Sequence, residues 1–185
     1  MPAPNRSAAP SPYDHLAEVP SFTVVSDDIT EGQPIDPKFV ADADFGLDGQ
    51  NLSPHLRWEG FPAETKSFAV TCFDPDAPTG SGFWHWVLFD IPASVTELAT
   101  GAASGDLSGL PDGAVHARND TGNPFYVGPF PPAGHGPHRY LFAVHAIEDE
   151  KLGPDGSVPP AVVGFNMSGR TLARAVLTAT YEVPG

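Results

Sequence analysis

A mostly β domain with few and short helices is the architecture this sequence predicts, and three observations predict it. Prolines number 22 and glycines 19 in 185 residues, a density that interrupts long helices and supplies turns. Strand-length runs rich in Val, Thr, Phe and Tyr recur between those turns, the clearest at 139–147. No internal repeat or second block of composition divides the chain, and 41% hydrophobic content suits one domain with a sizeable core.

Residues 1–20 read as a Pro, Ala and Ser-rich arm, mobile or lying on the surface, with Tyr13 and Leu16 as its anchors; residues 21–185 form the single domain. The arm lacks the apolar run of a signal peptide, and no stretch reaches the length of a membrane span. Residues 22–25 are a strand, and 29–35 a turn with a short strand. A polar, turn-rich segment at 45–53 precedes a short strand at 56–58, and 61–66 connects it to the central strand at 67–73. A further strand covers 87–90. Residues 94–98 read as a helical turn with Ser94 as cap and Glu97 completing a capping box. Residues 100–109 are a loop, 114–118 a short strand and 119–124 turn chemistry. After the long strand at 139–147, residues 148–160 are an acidic connector and 161–168 a short helix. Residues 171–183 suit helix or strand by composition, with a β-branched, aromatic end at 178–183 that is strand.

Between the strands at 67–73 and 87–90 lies a loop whose composition no packing rule explains: Asp74-Pro75-Asp76-Ala77-Pro78, then Trp84-His85-Trp86. Its prolines leave the backbone few conformations to lose. Asp74 and Asp76 can each accept several hydrogen bonds at the strand's end. Strand alternation places His85 on the face of Val87 and Phe89, opposite Trp86 and Leu88. Turn chemistry by itself also favours Asp and Pro, so this loop alone fits a structural role as well.

A second Gly/Pro loop, running from Tyr126 to Tyr140, also delivers a histidine to a strand. Here His138, Tyr140, Phe142 and Val144 share one face, with Arg139, Leu141 and His145 on the other. Two rigid loops, each carrying a histidine into an apolar strand, point to one shared pocket. Backbone N–H groups near Gly128 are candidate anion donors. Trp58 and Trp86 read as core, whereas Trp84 fits either the pocket mouth or a position beneath the loop. His15, His55, His116 and His145 read as surface or structural, and His135 as the rim of the second loop.

Composition narrows the function further. The net charge is −14 and the nine Lys and Arg are scattered, which excludes a phosphate-tracking nucleic-acid surface and a basic membrane-binding segment. Cys72 is the only cysteine, so no intrachain disulfide forms, in keeping with a soluble, cytoplasmic protein. It sits in an apolar strand and reads as a small buried hydrophobe. His85, His138 and Asp74 offer metal-ligand chemistry, but the spacing of a metal motif is absent, as are a Gly-x-Ser-x-Gly elbow and a nucleotide phosphate loop. Neither metal nor cofactor is expected.

The two loops, together with Asn51-Leu-Ser-Pro-His-Leu-Arg-Trp58, Pro111-Asp-Gly-Ala114 and Arg118-Asn119-Asp120, resemble the phosphatidylethanolamine-binding protein family. The resemblance covers about residues 22–181 and is closest to its bacterial and archaeal branch, the Raf kinase inhibitor-like proteins. It implies two packed antiparallel sheets and a small cavity for phosphate-like anions or phosphoethanolamine-type headgroups. Carried over by residue, it implies that Asp74, Asp76, Pro78, Trp84 and His85 from the first loop bind ligand, with Gly128, Pro131, Pro132, His138 and Tyr140 from the second. Phe130 departs from the small residue common in elaborate members, and the short loop at 79–84 lacks the tyrosine that eukaryotic members supply. The C-terminal region is also abbreviated, so a more open pocket is expected. The bacterial branch is often dimeric, which makes a homodimer the expected assembly. The expected activity is binding without chemistry, of a phosphate-bearing small molecule or phospholipid headgroup, with a kinase or protease as candidate protein partner. The alternative is a small enzyme using the Asp/His pocket as acid and base on a phospho-substrate.

Overall fold

The computed structural model describes residues 9–185, whose strands in chain order are β1 (Thr23–Val25), β2 (Leu56–Glu59), β3 (Ser67–Asp74), β4 (Phe83–Pro92), β5 (Glu97–Leu98), β6 (Val115–His116), β7 (His138–Ile147) and β8 (Thr171–Tyr181). They form a three-stranded sheet, β1-β2-β5, and a five-stranded sheet, β6-β4-β3-β7-β8, with every named strand pairing antiparallel. Alternation decides what lies between the sheets. Phe68, Val70 and Cys72 of β3 and Phe142, Val144 and Ala146 of β7 face inward, where they meet Leu56, Trp58 and Leu98 of the small sheet. The ring of Trp58 meets the edge of Phe68 at 5.3 Å. Trp58 and Trp86 are both core, as their sequence context indicates.

The outer face of the large sheet carries a second, smaller core. Ala69, Val87, Phe89 and Ile147 are covered there by Val163 and Met167 of helix α1 (Pro160–Met167). Pro160 at the first helical turn suits a position whose N–H has no intrahelical acceptor.

Two local expectations change. Residues 94–98 are not a capped helical turn: Glu97 and Leu98 pair with Arg57 and Leu56 in the small sheet, and the Glu97 carboxylate reaches His55 Nε2 at 3.0 Å. Residues 171–181, open between helix and strand, are one long strand throughout. Alternating small and large side chains decide it, because Ala173, Ala175, Leu177 and Ala179 all pack inward.

β8 would be an exposed edge, a ready template for unwanted pairing. The chain covers it. Pro20 accepts from Arg174 N–H, while Gly32 and Ile35 donate to the Thr178 and Thr180 carbonyls.

The described part of the arm lies on the outer face. Ser11 caps a short 3-10 turn (Pro12–His15), and the Tyr13 hydroxyl sits 3.4 Å from Thr71 Oγ1. Arg174 stacks over the Tyr13 ring at 4.7 Å and Arg139 donates to the Ala9 carbonyl at 2.6 Å. Tyr13 is thus an anchor as expected; Leu16 is half exposed and holds less. Residues 1–8 lie outside the described residues.

Beneath the arm, His145 accepts from Arg174 Nε at Nδ1 and donates from Nε2 to Thr71 Oγ1, each at 3.2 Å. Burial first, then the Arg174 charge, lowers its pKa from 6.5 to about 3, and burial lowers that of His116 to about 4. Both values are depressed on folding, so the unfolded chain takes up protons first. The stability these imidazoles contribute is full above pH 6.5 and is lost as pH falls from there towards their folded values. Urea unfolding at stepped pH is expected to show stability falling on acidification, with a slope approaching about 1.4 kcal/mol per pH unit for each imidazole. His145→Gln is expected to reduce that slope by the share of one imidazole; an unchanged slope would mean that His145 does not contribute to the acid limit.

Candidate functional site

A break in alternation builds the site. β3 and β4 pair Cys72 with Trp86 but Phe73 with Trp84, a register shift that inserts one extra residue, His85. Strict alternation would put His85 outward with Val87 and Phe89. The bulge instead turns it to the core side, where its ring meets Tyr140 at 5.2 Å. Trp84 is turned the other way and packs on Phe73, with ring centroids 4.4 Å apart. The expected grouping of His85 with Val87 and Phe89, opposite Trp86, is therefore corrected.

Neighbouring residues hold the bulge. Asp120 accepts from Trp84 N–H at 2.8 Å and donates its own N–H to the Trp84 carbonyl at 3.0 Å. Burial raises the Asp120 pKa, the hydrogen bond from Trp84 partly opposing it. Gly82 leads into the bulge at φ +69°, and a Cβ there would stand 2.3 Å from the Phe73 ring.

Asp74 ends β3 facing the cavity and binds both loops. Its Oδ2 accepts from His138 Nδ1 at 2.8 Å, and its Oδ1 accepts from Asp76 N–H at 2.7 Å. Asp76 faces away and takes a forked bond from Arg139, Nε to Oδ2 and Nη2 to Oδ1, both 2.8 Å, with a third from Arg139 N–H at 3.0 Å. Burial opposes the Asp76 charge, yet these bonds outweigh it and hold its carboxyl below the usual range. Asp76 braces the site from behind.

Asn51 and Asn119 fix the second loop. Asn51 donates to the Tyr126 carbonyl and accepts from Gly128 N–H at 2.7 Å; Asn119 donates to the Phe125 carbonyl at 2.8 Å. The Gly128 N–H is therefore spent on Asn51, so the expected anion nest is not formed from it. A Cβ at Gly128 would come within 2.3 Å of the Phe39 carbonyl, which is why a glycine stands there.

The cavity between the loops has a volume of about 240 Å³. Of the ten sequence-predicted residues, Asp74, Pro78, His85, Pro131, Pro132, His138 and Tyr140 line it. Asp76, Trp84 and Gly128 do not. Phe83 was not signalled by sequence; across the bulge it shares the His85 side, their rings 5.0 Å apart. Phe130 completes an aromatic wall, 5.5 Å from His85, 5.4 Å from Phe83 and 5.3 Å from Phe45.

The polar groups in this wall are few and oriented. His85, His138 and Asp74 are 2%, 1% and 3% exposed. His85 donates from Nδ1 to the Val127 carbonyl at 2.9 Å, which fixes its proton there and leaves Nε2 over. His138 likewise spends Nδ1 on Asp74, and its buried Nε2 has no hydrogen-bond partner among the described residues. Burial lowers the His85 pKa, partly opposed by the Asp74 charge. Among the described residues the Tyr140 hydroxyl finds no well-formed hydrogen bond; burial and then the Asp74 charge push its pKa well up. Among the described residues, no group of three or more His, Cys, Asp or Glu is placed to hold a metal ion. Nor is any helix among them long and apolar enough to cross a membrane.

Comparison with known proteins places this geometry in context. A family model described as "Phosphatidylethanolamine-binding protein" matches residues 25–182. The UPF0098 protein YbhB of Escherichia coli is 46% identical over 159 residues, 86% of this chain and 99% of its own. The crystal structure of E. coli YbcL, described as a new member of the mammalian PEBP family, superposes with a TM-score of 0.85 at 45% identity, covering 88% of this chain and 99% of that one. A phosphatidylethanolamine-binding protein from Plasmodium vivax shares the fold at 16% identity and a TM-score of 0.57, covering 96% of this chain and all of that one.

Gly128→Ala is expected to destabilise the protein by roughly 3 kcal/mol, because the backbone of residues 39–41 leaves no room for a methyl group. A lower urea midpoint at unchanged slope checks this; a midpoint within error of the parent would show that the loop yields.

Proposed function

This chain belongs to the phosphatidylethanolamine-binding protein family, and on that premise we propose that its cavity binds the phosphoryl group of a small molecule or headgroup without turning it over. One observation carries the reading: the buried His138 Nε2, left without a hydrogen-bond partner among the described residues while Nδ1 is held by Asp74 at 2.8 Å. A buried polar atom with no partner is costly, and a ligand oxygen would satisfy it.

Both Asp74 oxygens already accept hydrogen bonds, which favours an orienting role over capture of an ammonium group. His85 and His138 then present Nε2 atoms to the ligand. As neutral imidazoles these accept from a P–OH; as imidazolium ions they donate to P–O⁻. An anion beside Asp74 is tolerated best when a histidine carries a proton, so binding takes up protons. The aromatic wall excludes water and strengthens each of these bonds. A cavity of about 240 Å³ suits a headgroup fragment rather than acyl chains. The net charge of −14 favours a free phosphate compound over an anionic bilayer.

Backbone NMR titration with inorganic phosphate and O-phosphoethanolamine is expected to give saturable shifts confined to the two loops. His85→Ala combined with His138→Ala should weaken both by more than about tenfold. A parallel arm with phosphatidylethanolamine vesicles separates the sources: pelleting with vesicles would assign the site to membrane lipid. Unaltered shifts in the double variant would overturn the assignment.

Sulfate does not titrate in the neutral range, so its pH dependence reports the imidazoles alone. Burial holds the free His85 pKa below 6.5, and sulfate is expected to raise it, so affinity should rise as pH falls towards and below 6.5. Tighter sulfate binding at alkaline pH would exclude imidazolium as donor.

A further inference from the structure

A second cavity of about 440 Å³ lies on the opposite face of the large sheet, roofed by the arm and floored by β8 and the end of α1. Its wall is apolar where Leu16, Val19, Trp84 and Met167 line it, and among the described residues the sole charged side chain lining it is Arg174. That arginine is unusual. Its Nε donates to His145 and its guanidinium stacks on Tyr13, but its two terminal nitrogens make no hydrogen bond among the described residues. No carboxylate among the described residues lies within ion-pair distance of it, in a chain with 23 acidic residues. Residues 1–8 include no Asp or Glu to supply one.

The charge is also partly desolvated, and burial lowers its pKa. Its neighbours cannot share an anion with it. His145 uses both ring nitrogens, one accepting from Arg174 and one donating to Thr71. Tyr13 is a neutral phenol, its pKa raised by burial to about 12.

The geometry points to a second ligand site, distinct from the His85–His138 cavity, for a monocarboxylate with an apolar body, such as a medium-chain or aryl carboxylic acid. The planar fork of a guanidinium matches the two oxygens of a carboxylate. One positive charge balances one negative charge, which favours a monocarboxylate over a phosphate dianion. The apolar wall takes the rest of the molecule, and the volume lies within the range of small-molecule sites. Trp84 faces this cavity because the bulge that turns His85 inward turns Trp84 outward, so the tryptophan expected at the anion pocket belongs to this site instead.

The test uses the full chain and three probes of equal length: octanoate, 1-octanol and octylammonium. Chemical shifts of the Trp84 indole and the Ala17, Gly164 and Gly169 amides are followed at neutral pH. Octanoate is expected to bind saturably there, with octanol weaker by about tenfold or more and octylammonium not bound. Arg174→Gln should remove the preference for octanoate while leaving phosphate shifts in the two site loops unchanged. Gly164→Phe gives an independent variant: a Cβ at Gly164 meets nothing within 4 Å, so the side chain enters open space at the cavity and should block octanoate. If Arg174→Gln does not fold, the octanoate-to-octanol ratio on the parent and the Gly164→Phe result still decide. Equal binding of octanol, no saturation at millimolar octanoate, or octanoate shifts confined to the His85 loops would each overturn the proposal.

Discussion

The 2.8 Å bond between Asp74 and His138 is the contact on which the site depends, and it stands only because other bonds complete it. A buried carboxylate is costly unless its lone pairs are filled. The second oxygen of Asp74 is filled by the N–H of Asp76, and the Asp76 side chain is held in turn by the fork of Arg139. Arg139 follows His138 directly in β7, so the two strands are tied on both faces of the sheet at once. Its remaining reach goes to the Ala9 carbonyl, which brings the arm into the same network. The two aspartates, two positions apart, therefore do different work: one orients an imidazole, the other clamps the loops.

The bulge at His85 has the same double character. One inserted residue exchanges the faces of two neighbouring side chains, and so supplies an imidazole to one cavity and an indole to the other. A bulge needs fixing to persist, and here Asp120 binds both backbone groups of Trp84 while the Val127 carbonyl accepts from the His85 ring. The turn chemistry at 119–124 thus acts at a distance, as a support for β4.

How much of this is legible in the sequence follows from which rules hold locally. The inward row of β7, from His138 to Val144, can be read directly because its alternation is unbroken. The faces of His85 and Trp84 cannot, since no local signal announces a bulge that is held by Asp120, more than thirty positions away. Pairing with Arg57 and Leu56 similarly overrides the capping-box signal at 94–97. Gly128 is legible as special, but its reason, contact with the 39–41 backbone, is tertiary. Asp76 and Gly128 belong to the motif yet stand behind the cavity wall, because a motif records what the site needs and not only what touches a ligand.

Electrostatics give these two cavities a common logic. With a net charge of −14, the long-range field repels anions, so under the two proposals affinity would come from groups that act at contact in a dry setting. In the first cavity those groups are imidazoles, whose charge appears only when a proton is taken up. In the second it is a guanidinium, whose charge is permanent but whose terminal nitrogens no acidic side chain among the described residues occupies. A protein with so many carboxylates could readily have neutralised Arg174. That it pairs Arg139 with Asp76 in a fork and places no carboxylate beside Arg174, one residue a brace and the other beside open space, separates a structural cation from one left able to meet a ligand.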